Sequence, residues 1–320
     1  MQNRSRCSLI LHNAAAEAPV LLVSRSPPKA DKRSRHRTTD GYPKTSDSRR
    51  GIVRNYLLSF TPMIRTTLKN TKMATFAILL PNEKANGMPF PMGTGFFVSP
   101  DGYFITAAHV LTENGKSDGP VRKDINKAWL MKEDLSMCQF IELITIDPRT
   151  DFALLKADFE QNKTKDFLKN RHDFPYIQVS TRTMEDGEGV YSFGYPLSSG
   201  EHQEANGMSI GTIELSPRTT SAIVSSSIEK TKMIMTSKDV QVYVLDKALN
   251  YGNSGGPIVS TETGNVHAIC SRFQPLVIPQ NHLGENVAIF IPSLYGIITR
   301  IDNEKIIEEL KKNKIEIVKK

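Results

Sequence analysis

Gly93-Thr94-Gly95-Phe96-Phe97-Val98-Ser99-Pro100-Asp101-Gly102-Tyr103-Phe104-Ile105-Thr106-Ala107-Ala108-His109-Val110 is the stretch from which the architecture is read. Two apolar runs, 96–98 and 103–107, flank the turn tetrapeptide Ser-Pro-Asp-Gly, a pattern that predicts a β-hairpin. His109 follows directly on the second run, where a sheet edge can fix its ring. Outward from this hairpin, strand-like runs recur at 75–80, 129–131, 140–146 and 152–156. A polar loop rich in Lys and Asp occupies 158–173. A second series follows at 189–193, 209–215, 232–236, 240–245, 256–259, 266–270 and 286–291. Many short strands with regular turn signals predict an all-β barrel or sandwich, here in two groups of about six joined near 160–180.

Chemistry gathers at three places. Gly252-Asn253-Ser254-Gly255-Gly256-Pro257 sets a serine among glycines, where the backbone turns sharply and no Cβ blocks an approaching carbonyl. Such a turn frees main-chain N–H groups to face a developing negative charge. Read alone, the hexapeptide also fits a plain Gly-rich turn. Asp151 opens the nearly all-apolar run Phe152-Ala153-Leu154-Leu155-Lys156, and a carboxylate at the mouth of a buried strand is placed to accept a bond from a histidine ring. Read alone, Asp151 also fits a turn acid capping a loop, and His109 a satisfied histidine at a strand end. Together, in the order His109, Asp151, Ser254, they have the chemistry of an activated hydroxyl nucleophile.

These segments resemble the trypsin-like serine proteases, and most of all their HtrA (Deg) branch. The resemblance runs from about residue 73 to about residue 300. It is carried by Thr106-Ala107-Ala108-His109, Asp151-Phe152-Ala153-Leu154-Leu155-Lys156, Phe193-Gly194-Tyr195-Pro196, the Ser254 hexapeptide and Ala288-Ile289-Phe290-Ile291-Pro292. It implies two six-stranded antiparallel β-barrels, about 73–165 and 175–300, with the site in the cleft between them. It further implies a serine endopeptidase acting through an acyl-enzyme: Ser254 as nucleophile, His109 as base, Asp151 as orienting acid, and the N–H groups of Gly252 and Ser254 as the oxyanion hole. The residues implied to line the pocket for the residue before the cleaved bond (P1) are Ala248, Leu249, Tyr251, Ser271, Arg272 and Phe273. Position 248 carries no acid, so a small to medium apolar P1 is expected rather than Lys or Arg; Arg272 facing an acidic P1 is the alternative. Secreted trypsin relatives usually carry Asp where Asn253 stands, to pair with a freed N-terminus, so no zymogen cleavage of that type is expected. They also usually carry a cysteine directly after the histidine, where this chain has Val110.

Composition narrows the rest. The net charge of +7 belongs to the first 62 residues, which hold 12 Lys/Arg against 4 Asp/Glu, leaving 29 against 30 elsewhere. Residues 63–320 are therefore nearly neutral and carry no nucleic-acid footprint, and nucleic acid is not an expected partner of that part. Residues 1–72 read as a basic, disordered leader, with 24–50 too polar to offset their chain entropy. A transit peptide, a basic binding arm, or a silent leader with Met63 or Met73 as the start all fit it. No run reaches the ~18 apolar residues of a membrane helix. Three cysteines, Cys7, Cys138 and Cys270, lie far apart and form no disulfide framework, which favours a cytoplasmic or organellar setting over secretion. No Cys/His spacing suggests a metal, and no cofactor is implied. Polypeptides are the expected substrates; oligomeric state is left open. Residues 301–320 read as a C-terminal helix and tail, capped by Asp302 or Asn303 with apolar Ile306, Ile307 and Leu310; the span is too short for the PDZ domain that HtrA relatives often carry. Two other function classes remain: a silent peptide-binding member of the fold, and nucleic-acid binding through the leader.

Overall fold

The computed structural model describes residues 5–11, 21–24, 64–82, 87–169, 171–205, 208–232, 239–282 and 285–319. The expected strand 232–236 falls largely outside them. Helix α1 spans 64–74, α2 Asn162–Leu168 and α3 Glu304–Lys312. The strands are β1 Ser5–Leu11, β2 Leu21–Ser24, β3 Thr75–Asn82, β4 Met88–Phe97, β5 Tyr103–Thr106, β6 Trp129–Met131, β7 Met137–Asp147, β8 Phe152–Ala157 and β9 Val179–Ser180. They continue with β10 Gly189–Gly194, β11 Ser199–Ala205, β12 Met208–Leu215, β13 Arg218–Lys232, β14 Asp239–Leu245, β15 Pro257–Ser260, β16 Val266–His282, β17 Glu285–Arg300 and β18 Ile317–Val318.

β4 and β5 form the expected hairpin. Ser99 Oγ accepts from Tyr103 N at 3.0 Å, and Gly102 takes φ +88°, a value open to glycine but strained for other residues. The first barrel closes in the order β3-β4-β5-β8-β7-β6, with β6 returning to β3. In the second, β15, β10, β13, β14, β17 and β16 are joined by successive antiparallel pairings, and the β15–β16 pairing closes the ring. β9 and β18 extend it from β16 in parallel. This is the two-barrel, trypsin-like architecture, in a chain that also carries an outer ribbon of β11, β12, β1 and β2.

The apolar runs of the first barrel are near-continuous because their strands are buried on both faces. Strand side chains alternate in direction. Phe97, Phe104, Ala153 and Leu155 fill the barrel interior, with Phe97 edge-on to Phe104 at 4.9 Å. Their neighbours Phe96, Ile105, Phe152 and Leu154 point the other way, into a cluster shared with Tyr191, Val259, Val266 and Ile269 of the second barrel. Ile306 and Leu310 of α3 and Leu68 of α1 join that cluster. Asn303, not Asp302, caps α3, accepting from Lys305 N at 3.2 Å. The expected boundary between residues 72 and 73 falls inside α1, whose Thr71 hydroxyl lies 3.1 Å from the Tyr191 hydroxyl. The polar segment read as a loop over 158–173 contains α2.

Candidate active site

His109 sits in a 3-10 turn, Ala108–Leu111, directly after β5. Asp151 sits in the turn before β8 with φ +55°, a left-handed conformation that aspartate tolerates better than most residues. β5 and β8 pair, so the two turns emerge at one end of the barrel. Ala108 N donates to Asp151 O at 3.1 Å and His109 N to Asp151 Oδ1 at 2.9 Å. The imidazole Nδ1 lies 2.8 Å from Asp151 Oδ2 and 3.1 Å from Oδ1. Asp151 is 1% exposed. Burial alone would raise its pKa, but His109, the Arg272 charge and the Ser271 hydrogen bond outweigh it, and the carboxyl is held below its ordinary value.

Ser254 reaches the same place through its backbone. Thr94 N donates to Ser254 O at 2.8 Å, and Thr94 Oγ1 donates to Gly252 O at 2.6 Å. Thr94 Oγ1 also accepts from Tyr195 N at 3.1 Å, and Thr106 Oγ1 donates to Thr94 O at 2.8 Å. The serine loop of the second barrel is thus stapled to β4 of the first. Glycines permit this contact. A Cβ at Gly255 would lie 2.1 Å from Thr106 Oγ1, and one at Gly93 would lie 2.9 Å from Ser254 O and 2.7 Å from Val110 Cγ2. The residue after His109 and the main chain of Ser254 therefore press on the same glycine. Among the described residues, Ser254 Oγ makes no hydrogen bond, to His109 or to any other group.

Gly252 takes φ +93°, and a Cβ there would meet Tyr195 O at 2.5 Å. Within the turn, Asn253 N donates to Asn250 O, Gly255 N to Cys270 O and Gly256 N to Asn253 O. The N–H groups of Gly252 and Ser254 donate to no protein acceptor among the described residues.

The residues expected to line a pocket divide. Tyr251 is 72% exposed and Ala248 partly buried, while Leu249 is buried in the core of the second barrel. Ser271 and Arg272 turn toward Asp151. Ser271 Oγ donates to Asp151 Oδ2 at 2.5 Å, and Arg272 Nη2 lies 3.6 Å from the same oxygen. The side chain of Phe273 lies outside the described residues. His267 is a buried structural histidine, with Nδ1 2.9 Å from Arg182 O. Among the described residues no acid, cysteine and histidine group is arranged to hold a metal, and no helix is long and apolar enough to cross a membrane.

Thr94, Thr106 and Ser117 carry contacts that the sequence reading did not assign. Thr94 had a signal, a hydroxyl residue between the two glycines of Gly93-Thr94-Gly95; Ser117, in a polar loop, had none.

Fold and site together define a two-barrel protein with a bonded histidine–aspartate pair at one end of the first barrel and the serine loop of the second barrel fastened to β4. The family described as "Trypsin-like peptidase domain" matches residues 93–269, more than half of the chain, and the chain belongs to that family. Its relatives include HtrA-type proteases. It is 29% identical over 64% of its length to the "Probable periplasmic serine endoprotease DegP-like" of Bartonella henselae, covering 29% of that protein. It is 27% identical over 55% of its length to serine protease HTRA1 of Xenopus laevis, covering 30% of that protein. The chain thus spans about a third of the length of the curated relatives it matches. Among solved structures, the HtrA-type protease AlgW with decapeptide is 15% identical with a TM-score of 0.49, covering 78% of this chain and 67% of that one.

Proposed function

We propose that the chain is a serine endopeptidase that opens peptide bonds through an acyl-enzyme. The observation that carries this reading is the buried Asp151 carboxylate bound to His109 Nδ1 at 2.8 Å, beside a serine loop fastened to the same barrel end. Ser254 attacks the carbonyl carbon. His109 Nε2 takes the hydroxyl proton and then delivers it to the leaving amine. Asp151 fixes the tautomer and favours the imidazolium without itself becoming protonated. The N–H groups of Gly252 and Ser254 receive the oxyanion. Ser254 Oγ and His109 Nε2 come within hydrogen-bond reach as substrate seats, since such bonds are often loose without substrate. The preferred P1 residue is apolar and of small to medium size. Polypeptides are the substrates, and neither metal nor cofactor takes part.

Fluorophosphonate labelling of the full chain, of the chain without residues 1–62, and of Ser254→Ala in each form is the test. Covalent labelling lost only with the serine is the expected result. A folded wild type that stays unlabelled in both forms favours a silent peptide-binding protein. Mass-spectrometric mapping of cleavages in a denatured protein checks the P1 assignment, and frequent cuts after Lys or Arg overturn it.

A further inference from the structure

An open groove of about 370 Å³ lies between α1 and the turn that follows β6. Arg65, Lys69 and Lys72 stand at i, i+4 and i+7 of the helix, a spacing that sets them on one face, and all three line the groove. Each is exposed, and among the described residues none of them pairs with a carboxylate. Lys132 adds a fourth cation. It is 9% exposed, and its Nζ donates to Lys72 O and, at 3.1 Å, to Thr75 O, with the Phe76 ring 4.8 Å away. An ammonium has three donors, and these carbonyls use two. Burial pulls the Lys132 pKa down, and the Glu133 charge opposes that. Glu133 is the one acid of the groove, and its carboxylate is engaged: Oε2 accepts from the Tyr195 hydroxyl at 2.8 Å. Leu68 and Met73, the latter 37% exposed, complete the lining with apolar surface.

We propose that this groove is a binding site for an acidic, extended polypeptide segment that carries an apolar side chain among its carboxylates. The proposal stands apart from the peptidase reading. Four cations meet one engaged carboxylate here, in a part of the chain, 63–320, that holds 29 Lys/Arg against 30 Asp/Glu. The excess is therefore local and does not reflect composition. Charge complementarity calls for an anion. A carboxylate seated in the groove gives Lys132 the counter-charge that its two carbonyl partners do not. The volume lies at the low end of the roughly 300–1,000 Å³ of ligand sites, which suits a short segment rather than a folded surface. Leu68 and Met73 beside the cations favour a peptide over a phosphate polyanion, which has no apolar group to bury against them. The chain's own leader is the wrong occupant, since residues 1–62 hold 12 Lys/Arg against 4 Asp/Glu and like charges repel.

The test is fluorescence anisotropy of a labelled glutamate peptide containing leucine, titrated with the full chain carrying Ser254→Ala, so that cleavage of the probe does not enter. The comparison is the same chain with Arg65→Glu and Lys69→Glu added. Both positions are exposed, so the reversal leaves packing in place, and urea midpoints check this. Exposed pairs are individually weak, so reversing two charges is expected to lower affinity about tenfold, or about 1.4 kcal/mol. Raising the salt concentration is expected to weaken binding in the parent chain and to narrow that difference. Met73→Gln is expected to weaken the leucine peptide about fourfold, the worth of one buried methylene, and to leave an all-glutamate peptide unchanged. Equal affinity in the parent and reversed chains overturns the proposal and assigns the binding to the basic leader. Equal affinity of the parent for the two peptides also overturns it, because the groove then reads charge alone. A parent chain that binds neither peptide does the same. So does a reversal that costs affinity for inorganic polyphosphate or phosphatidylserine vesicles but not for the peptide, which makes the groove a phosphate or membrane site.

Discussion

Asp151 and Ser254 are held by opposite means. The aspartate is gripped at its side chain: His109 N, His109 Nδ1 and Ser271 Oγ all bond its carboxylate, and Arg272 stands beyond. The serine is gripped at its backbone: its carbonyl accepts from Thr94, the flanking Gly252 carbonyl accepts from the Thr94 hydroxyl, and Gly255 N donates to Cys270 O. Its hydroxyl is left out of the network. On the proposed reading, the difference follows from what each group does. An orienting carboxylate works by staying in place, and a buried charge is tolerated only when its oxygens are satisfied. A nucleophile travels toward carbon, and here the chain that carries the hydroxyl is fixed while the oxygen bonds none of the described residues.

The largest effect that would test this contrast is at the hydroxyl. Ser254→Ala is expected to lower turnover on the order of a million-fold. It removes no hydrogen bond among the described residues, so thermal unfolding should stay within a few degrees of the wild type. A large fall in melting temperature would show that the hydroxyl is structural after all. Next comes the turn. Gly252→Ala forces a side chain onto a positive φ and against Tyr195 O, and turning the peptide away would misaim its N–H. Loss of one such donor lowers turnover about 100- to 1000-fold, read from single-turnover hydrolysis of an activated ester.

A smaller effect is expected at the staple. Thr94→Val keeps shape but leaves Gly252 O and Tyr195 N without their partner, at about 1–3 kcal/mol of stability. Urea midpoints measure the loss, and its appearance would show that the backbone grip on the serine loop contributes to stability. The smallest effect is on acid stability. Asp151 has a folded pKa below the unfolded value of about 3.9. Its contribution is therefore complete above that value and is lost as pH falls through the folded one. Asp151→Asn is expected to flatten the decline of urea midpoints below about pH 4. A slope as steep as the wild type's would mean that the carboxylate grip adds nothing to acid stability.

Much of this was legible without coordinates. The hairpin declared itself because Ser99-Pro100-Asp101-Gly102 separates two apolar runs, and β6 was read residue for residue from Trp129-Leu130-Met131. β13 was missed because Arg218–Lys232 is rich in Ser and Thr and shows little apolar alternation; pairing with β10 and β14 makes it a strand. α2 was missed because its polar sequence buries only Thr164 and Leu168. Ser271 and Arg272 were expected to face a substrate, since their position after the serine strand was visible and the direction of their side chains was not.

The order and local sequence of the His109, Asp151 and Ser254 segments were written in the chain, because turns, apolar runs and glycines act over a few residues. Which atoms meet was decided only by closing two barrels against each other. Thr94 against Gly252, Ser271 against Asp151 and Arg272 against Ser117 are each separated by more than a hundred residues. Contacts at that range are set by strand register and barrel packing, which no local pattern specifies.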